Sequence, residues 1–202
     1  CLWFFNSVPA YVAESGDTKF YDLVVPYADK GKATVFAHLR RALEFNLERT
    51  GKHGLPCGLL ADWNDCLKLG YKGESVFVTF QVRMGLDIFA GIADTLGRAK
   101  DAAWARAELK KLDKKIQKVC WDGEWFIWAI GEDGTVFGTK KAKEGKIYIN
   151  TQCWAILSGA ATDAQMEKSL ASMQKLLASD YGVALCNPPF DKTPVKVMRA
   201  VL

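Results

Sequence analysis

The chain has 202 residues, of which 50% are hydrophobic and 25% are charged. This ordinary globular composition excludes an intrinsically disordered chain and indicates one sizeable core or at most two small domains. The 27 basic and 23 acidic side chains give a formal net charge of +4. Because both signs are interspersed and no basic block occurs, we predict no nucleic-acid partner.

Cysteine and histidine content argues against a metal centre. The six cysteines form no CxxC pair, and His38 and His53 are the only histidines. We therefore predict no metal site. A chain of this size does not need disulfides, so we favour reduced thiols and a cytoplasmic location. The most apolar run, residues 76–93, is interrupted by charged residues, and we predict no membrane span.

Apolar periodicity predicts about six helices and few strands. In chain order these helices cover residues 2–13, 33–49, 74–96, 99–119, 151–157 and a last segment that follows residue 162. Thr162 stands three residues before Gln165, which is the spacing of a capping box. Mostly apolar helices alternate with amphipathic ones, which favours a double-layered helical toroid. A helical bundle or a repeat array is the alternative, although no fixed-period repeat is visible.

Two segments between the helices stand out. Residues 121–138 alternate aromatic and turn residues, which predicts a small β-hairpin or a wide loop. Its tryptophans are expected to pack in the core rather than form a binding platform. Residues 51–73 are rich in glycine and lie between two strong helices. Long loops of this kind inside compact domains are usually functional.

The densest polar cluster is the string GLLADWNDC in that glycine-rich loop, with Asp62, Trp63, Asn64 and Asp65. Apolar sugar faces stack on tryptophan, hydroxyls bond to Asn and Asp, and a carboxyl group in an apolar pocket can protonate a glycosidic oxygen. A simple Asx turn is the structural alternative. Gln152, at the start of an apolar helix, either faces a cavity or caps the helix.

The string HGLPCGLLADWNDCL, followed by GESVFV, resembles the catalytic loop of the disaccharide phosphorylases of glycoside hydrolase family 94. The stretch CLWFFNSVPAYVAESGD resembles the family's helix upstream of that loop, and TVFAHLRRALEFNLERTGKHGLP resembles the helix that leads into it. WDGEWFIWAIGEDGTVFGTKKAKEGKIYINTQCWAILSG and YGVALCNPPF resemble the segments after it. The resemblance covers nearly the whole chain.

This resemblance implies an all-α (α/α)6 toroid, here only part of it, with a small β-hairpin insertion. It also implies reversible, inverting phosphorolysis of a β-linked disaccharide or oligosaccharide to an α-sugar 1-phosphate. Asp65 then corresponds to the general acid and Trp63 to a wall of the sugar subsite. Asp62 and Asn64 are loop-shaping neighbours at the substrate site, and Gln152 is a further candidate for substrate binding.

The same resemblance implies a glucosyl or N-acetylglucosaminyl oligosaccharide and inorganic phosphate as substrates, no cofactor, and a homodimer of the intact protein. One carboxyl group suffices for this chemistry, because phosphate is already a competent nucleophile. An inverting hydrolase instead needs a second carboxylate about 6.5–9.5 Å away to activate water. Such a hydrolase on the same toroid, and a non-catalytic sugar-binding or scaffold domain, are the alternatives.

Both ends of the chain lie in apolar patterns, with Cys1 at the start and VMRAVL at the end. We therefore expect residues 1–202 to be an internal part of the catalytic domain. By the resemblance, the N-terminal β-sandwich domain, the C-terminal part of the toroid and the phosphate-site residues lie outside it. A partial toroid exposes apolar faces, so we expect this segment alone to be inactive and to be unstable or to aggregate.

Overall fold

The computed structural model describes residues 2–59 and 69–194, and within these ranges it contains six α-helices and short β-strands. The helices are α1 (Phe4–Ser15), α2 (Val35–Glu48), α3 (Val76–Thr95), α4 (Ala99–Val119), α5 (Ile149–Leu157) and α6 (Asp163–Leu176). The strands are β1 (Val24–Pro26), β2 (Lys32–Thr34), β3 (Glu74–Ser75), β4 (Ala129–Ile130), β5 (Val136–Phe137), β6 (Ile147–Tyr148), β7 (Ala178–Ser179), β8 (Gly182–Val183) and β9 (Cys186–Asn187). The predicted all-α class is confirmed, and every predicted helix is present.

Helix α3 is the centre of the fold. It packs against α1, α2, α4 and α5, and 13 of its 20 residues are buried. Among the described residues, α3 is the one helix long and apolar enough to cross a membrane, but 72% of its apolar window is buried inside the protein. Burial on most sides explains why its sequence has so little polar surface, since a helix that is apolar nearly all round needs neighbours on each face.

The odd-numbered helices form an inner layer. Trp3, just before α1, packs edge-on against Trp154 of α5 with 5.6 Å between ring centroids, and Phe77 of α3 packs edge-on against Trp154 at 5.5 Å. These three aromatic rings join α5 to the N-terminal ends of α1 and α3. Edge-to-face pairs of this kind stabilise beyond the area that they bury.

The even-numbered helices form an outer layer that is joined by polar contacts. Arg40 of α2 forms an ion pair with Asp101 of α4, and its guanidinium lies 4.1 Å from the ring centroid of Trp104. Between α4 and α6, the Gln165 amide donates to the Gln117 side chain at 2.8 Å. Inner apolar helices thus alternate with outer amphipathic ones, which confirms the predicted part of a helical toroid.

Local capping sets several helix starts. The Thr34 hydroxyl accepts a hydrogen bond from the Ala37 amide, and the Ser75 hydroxyl accepts one from the Val78 amide. The predicted capping box before α6 is confirmed, because Thr162 and Gln165 exchange both bonds. These caps satisfy backbone donors that the first turn of a helix leaves free.

Strands β3 to β9 lie in the connections at one end of the helices, whereas β1 and β2 pair before the N-terminus of α2. Strand β3, at the N-terminus of α3, pairs with β4, and β4 pairs with β5, all antiparallel. Strand β6, at the N-terminus of α5, pairs with β9, which follows α6. The predicted hairpin at residues 121–138 is confirmed as β4 and β5. We call this face the loop end; it consists of residues 49–59, 69–75, 120–148 and 177–194.

Large apolar side chains are exposed at both edges of the helical layers. Trp3, Phe4 and Tyr11 are about half exposed along α1, and Leu157 at the end of α5 is 68% exposed. Exposed apolar surface of this extent promotes association. It agrees with the expectation that this segment alone aggregates, which stays a prediction.

Candidate functional site

The candidate site depends on the loop between α2 and α3, whose two stems lie at the loop end. Asp62, Trp63, Asn64 and Asp65, which carry the predicted chemistry, lie outside the described residues. The structure describes the stem that leads into them, residues 51–59, and the stem that follows them, residues 69–75. The position of the stems therefore defines where this segment leaves and rejoins the fold.

The two stems are joined to each other and to the neighbouring connection. The Gly58 amide donates to the Gly73 carbonyl at 3.1 Å, which closes the loop across its base. The Glu132 amide, in the turn between β4 and β5, donates to the Leu69 carbonyl at 2.7 Å. The two described stems thus meet beside the N-terminus of α3, which belongs to the inner layer.

A buried carboxylate holds the first stem. Glu74 is 1% exposed, and its Oε1 accepts hydrogen bonds from the amides of His53 at 2.8 Å and Leu55 at 3.0 Å. Its Oε2 lies 2.6 Å from His53 Nδ1. A carboxylate just before a helix can complement the helix dipole, but Glu74 precedes the Ser75 N-cap and contacts the loop stem instead. His53 thus contacts Glu74 through both its backbone amide and its ring.

Space around this carboxylate is tight. A Cβ atom at Gly51 would lie 2.3 Å from Glu74 Cγ, so only glycine fits there. Cys57 and Glu74 form an antiparallel β-bridge between the two stems. Burial raises the pKa of the Cys57 thiol, and the nearby carboxylates of Glu74 and Glu132 act in the same direction. A raised pKa favours the neutral thiol, which is a weaker nucleophile and metal ligand than the thiolate.

Metal-ligand geometry does not occur in the part of the chain that the structure describes: residues 2–59 and 69–194 contain no group of three His, Cys, Asp or Glu side chains that could hold an ion. Cys57, Cys120 and Cys153 are free thiols.

Gln152 has a structural role. Its side chain is fully buried, its Oε1 accepts from the Phe126 amide at 2.8 Å, and its Nε2 donates to the Phe126 carbonyl at 2.8 Å. Nε2 also donates to the Tyr148 carbonyl at 3.1 Å. Both ends of the amide are therefore occupied by backbone, and contact with a sugar would require these bonds to break. This arrangement favours a structural role, and substrate binding by Gln152 stays a prediction.

The tryptophans of residues 121–138 serve packing, as the sequence favoured. Trp125 is buried and donates from Nε1 to the Gly138 carbonyl at 2.9 Å. Trp128 is buried and stacks on Tyr148 with 4.7 Å between centroids. Trp3 and Phe4, at the N-terminus of α1, are aromatic side chains that reach solvent. The sequence analysis did not single them out.

Comparisons with known proteins agree with this arrangement. Residues 1–201 match the family described as glycosyl hydrolase 94 superfamily, catalytic domain. The chain is 36% identical over 191 residues to an N,N'-diacetylchitobiose phosphorylase of Vibrio proteolyticus, covering 94% of this chain and 24% of that protein. It is 35% identical over 202 residues to a cellobionic acid phosphorylase of Neurospora crassa, covering 98% and 26%.

The chain thus spans about a quarter of the length of these relatives. Among solved structures, a GH78 family rhamnosidase of Bacillus sp. GL1 matches with a TM-score of 0.68 at 18% identity, over 91% of this chain and 18% of that one. At this identity the likeness concerns the fold alone. Because the family match extends over residues 1–201, the chain belongs to the glycosyl hydrolase 94 superfamily and forms part of its catalytic domain.

Proposed function

We propose that the protein containing this chain catalyses inverting phosphorolysis of a β-linked disaccharide or oligosaccharide, with Asp65 as the general acid. The observation that carries the proposal is the match of residues 1–201 to the family's catalytic domain. The relatives named as phosphorylases support the reaction class. The stems that flank the segment of Asp65 run from the C-terminus of α2 and to the N-terminus of α3, which agrees with a site at the loop end.

The chemistry follows from the nucleophile. Asp65, as the carboxylic acid, donates its proton to the glycosidic oxygen while a phosphate oxygen attacks the anomeric carbon from the opposite face. The glycosidic C–O bond breaks, a C–O bond to phosphate forms, and the products are an α-sugar 1-phosphate and the shortened sugar. In the reverse direction the Asp65 carboxylate accepts the proton of the acceptor hydroxyl. Trp63 supplies a face on which a sugar ring stacks, and Asp62 and Asn64 shape the loop around it.

Substrate identity is left to the experiment. The two relatives differ in the sugars that their names give, yet their identities to this chain are nearly equal, at 36% and 35%. The proposal therefore includes glucosyl and N-acetylglucosaminyl donors, with inorganic phosphate as co-substrate and the intact protein as a homodimer.

The test uses the full-length protein with α-glucose 1-phosphate or α-N-acetylglucosamine 1-phosphate, and with glucose or N-acetylglucosamine as acceptor. Release of inorganic phosphate is measured for the wild type, Asp65→Asn and the matched control Asp180→Asn. Asp180 lies exposed in the turn between β7 and β8. Acceptor-dependent release that only Asp65→Asn abolishes supports the proposal.

Two other outcomes contradict it. If Asp65→Asn still releases phosphate, phosphorylase activity remains supported but Asp65 is refuted as the general acid. No release with any donor and acceptor from a folded protein refutes phosphorolysis of these sugars and favours a hydrolase or a non-catalytic domain.

A further inference from the structure

Glu74 connects the two stems of the loop that carries Asp65. It lies on the stem that leaves the loop, and its hydrogen-bond partners among the described residues belong to the stem that enters it: the amide and ring Nδ1 of His53 and the amide of Leu55. Backbone contacts reinforce the same junction, because the Ser75 amide donates to the Pro56 carbonyl at 3.0 Å.

The junction is rigid for two physical reasons. A buried carboxylate is stable only where donors surround it, and removing it leaves the amides of His53 and Leu55 without their acceptor. Leu55 is fully buried, so water cannot easily replace the carboxylate at its amide. The residue after Glu74 is the N-cap of α3, so the position of the stems is fixed directly by the central inner helix.

We infer that Glu74 is a positioning residue for the acid of the proposed reaction, acting through the stems at residues 51–59 and 69–75. The inference rests on the proposed function, because it assigns Glu74 the task of aligning Asp65. A general acid must lie within hydrogen-bond reach of the leaving oxygen, and a displacement of about 1 Å can lower the rate about 100-fold. Loss of the Glu74 contacts therefore affects the chemical step more than substrate binding.

Three substitutions separate this role from general stability. Glu74→Ala removes all three acceptor contacts. Glu74→Asp keeps the charge but withdraws its oxygens by about 1.5 Å, the length of one C–C bond, and serves if the alanine variant does not fold. Glu74→Gln keeps one oxygen for the two backbone amides, and its NH2 group can donate to His53 Nδ1 if the ring proton moves to Nε2.

The matched control is Arg83→Ala. Arg83 of α3 forms an ion pair with Asp113 of α4 at 2.7 Å and donates to the Ser158 carbonyl, so its loss also destabilises the inner layer. It makes no contact with the stems among the described residues. If Arg83→Ala lowers the thermal midpoint as much as the Glu74 variants do, its kcat shows how far a loss of stability alone affects turnover.

The experiment measures kcat and KM for phosphorolysis in the full-length protein, with thermal midpoints for each variant. We expect Glu74→Ala or Glu74→Asp to lower kcat about 10- to 100-fold with KM for the disaccharide changed less than about threefold. We expect Glu74→Gln to restore kcat to within about threefold of the wild type, and Arg83→Ala to retain it. Equal losses of kcat in the Glu74 and Arg83 variants at matched midpoints overturn the inference, as does unchanged kcat in the Glu74 variants.

Failure of the proposed function gives a different pattern. If the wild type is inactive on every sugar, or if Asp65→Asn retains full activity, then the acid assignment fails and the positioning role falls with it. If the wild type is active and Asp65→Asn is not, while every Glu74 variant matches the wild type, then only the role of Glu74 is refuted.

Discussion

A Gly85→Ala substitution on α3 would test how closely α1 and α2 pack against this helix, because it adds a single methyl group. A Cβ built at Gly85 would lie 3.0 Å from Phe5 Cδ2 of α1 and 3.1 Å from Leu43 Cδ2 of α2. Gly91 lies on the same helix, is exposed, and a Cβ there meets nothing within 4 Å in the ranges that the structure describes. The two glycines therefore form a matched pair for the same substitution.

The expected magnitudes follow from two opposing effects. Alanine is favoured over glycine in a helix interior by about 1 kcal/mol, and this gain is common to both positions. At Gly85 the new methyl group also crowds Phe5 and Leu43, which are both fully or almost fully buried and cannot swing into solvent. Overpacking of this kind costs about 1–3 kcal/mol. We expect Gly91→Ala to stabilise by about 1 kcal/mol and Gly85→Ala to range from neutral to about 2 kcal/mol destabilising.

The assay compares thermal unfolding midpoints of Gly85→Ala, Gly91→Ala and the wild type in the same full-length protein. Because helix propensity cancels between the two variants, the difference between their midpoints measures crowding at Gly85. A raised midpoint for Gly91→Ala with an unchanged or lowered one for Gly85→Ala supports the described packing. Equal increases in both would show that α1 and α2 do not approach α3 at Gly85, and would refute the reasoning.

Further predictions concern one ion pair, one cap and one carboxylate. Arg83→Ala loses its partly buried ion pair with Asp113 and should lower the free energy of unfolding by about 1–3 kcal/mol, read from the thermal midpoint. Thr162→Ala should cost about 0.5–2 kcal/mol by removing the capping box, whereas Thr162→Ser should restore the wild-type midpoint. Hydrogen bonds from the Thr193 hydroxyl and from nearby backbone amides lower the pKa of the Glu144 carboxyl from 4.5 to about 2. A carboxyl whose pKa is lowered by folding stabilises the folded state at pH values above its unfolded-state pKa. This stabilisation is lost as the pH falls through the folded-state pKa. Protection of amides 192 and 193 from hydrogen exchange should therefore fall between pH 4.5 and 2, relative to a Glu144→Gln variant that lacks this pH dependence.

Helix positions could be predicted because their signals are local. Helix α4 was expected at residues 99–119 and is found at Ala99–Val119, since a long amphipathic stripe specifies both its length and its buried face. The capping box at Thr162 was likewise predictable from a three-residue spacing. The candidate acid segment was identified through its string of residues alone, and its position outside the described residues leaves that assignment to the proposed experiment.

Roles of buried polar groups could not be predicted in the same way. Glu74 precedes an apolar helix, a position that suits a helix-dipole charge, yet its partners lie 19 and 21 residues earlier in the chain. Gln152 begins an apolar helix, a position that suits a cavity-facing side chain, yet its partner Phe126 lies 26 residues earlier. Nothing local to either residue specifies such a partner.

The sequence by itself determined the helical class, the alternation of apolar and amphipathic helices, and the segment that carries Asp65, because periodicity, caps and motif are properties of neighbouring residues. The tertiary structure alone decided that Glu74 joins the stems of that segment and that Gln152 holds the backbone of Phe126. The physical reason is that a polar group taken out of water must pair with whatever donor or acceptor the fold brings beside it. Which groups those are is known only once distant parts of the chain have packed together.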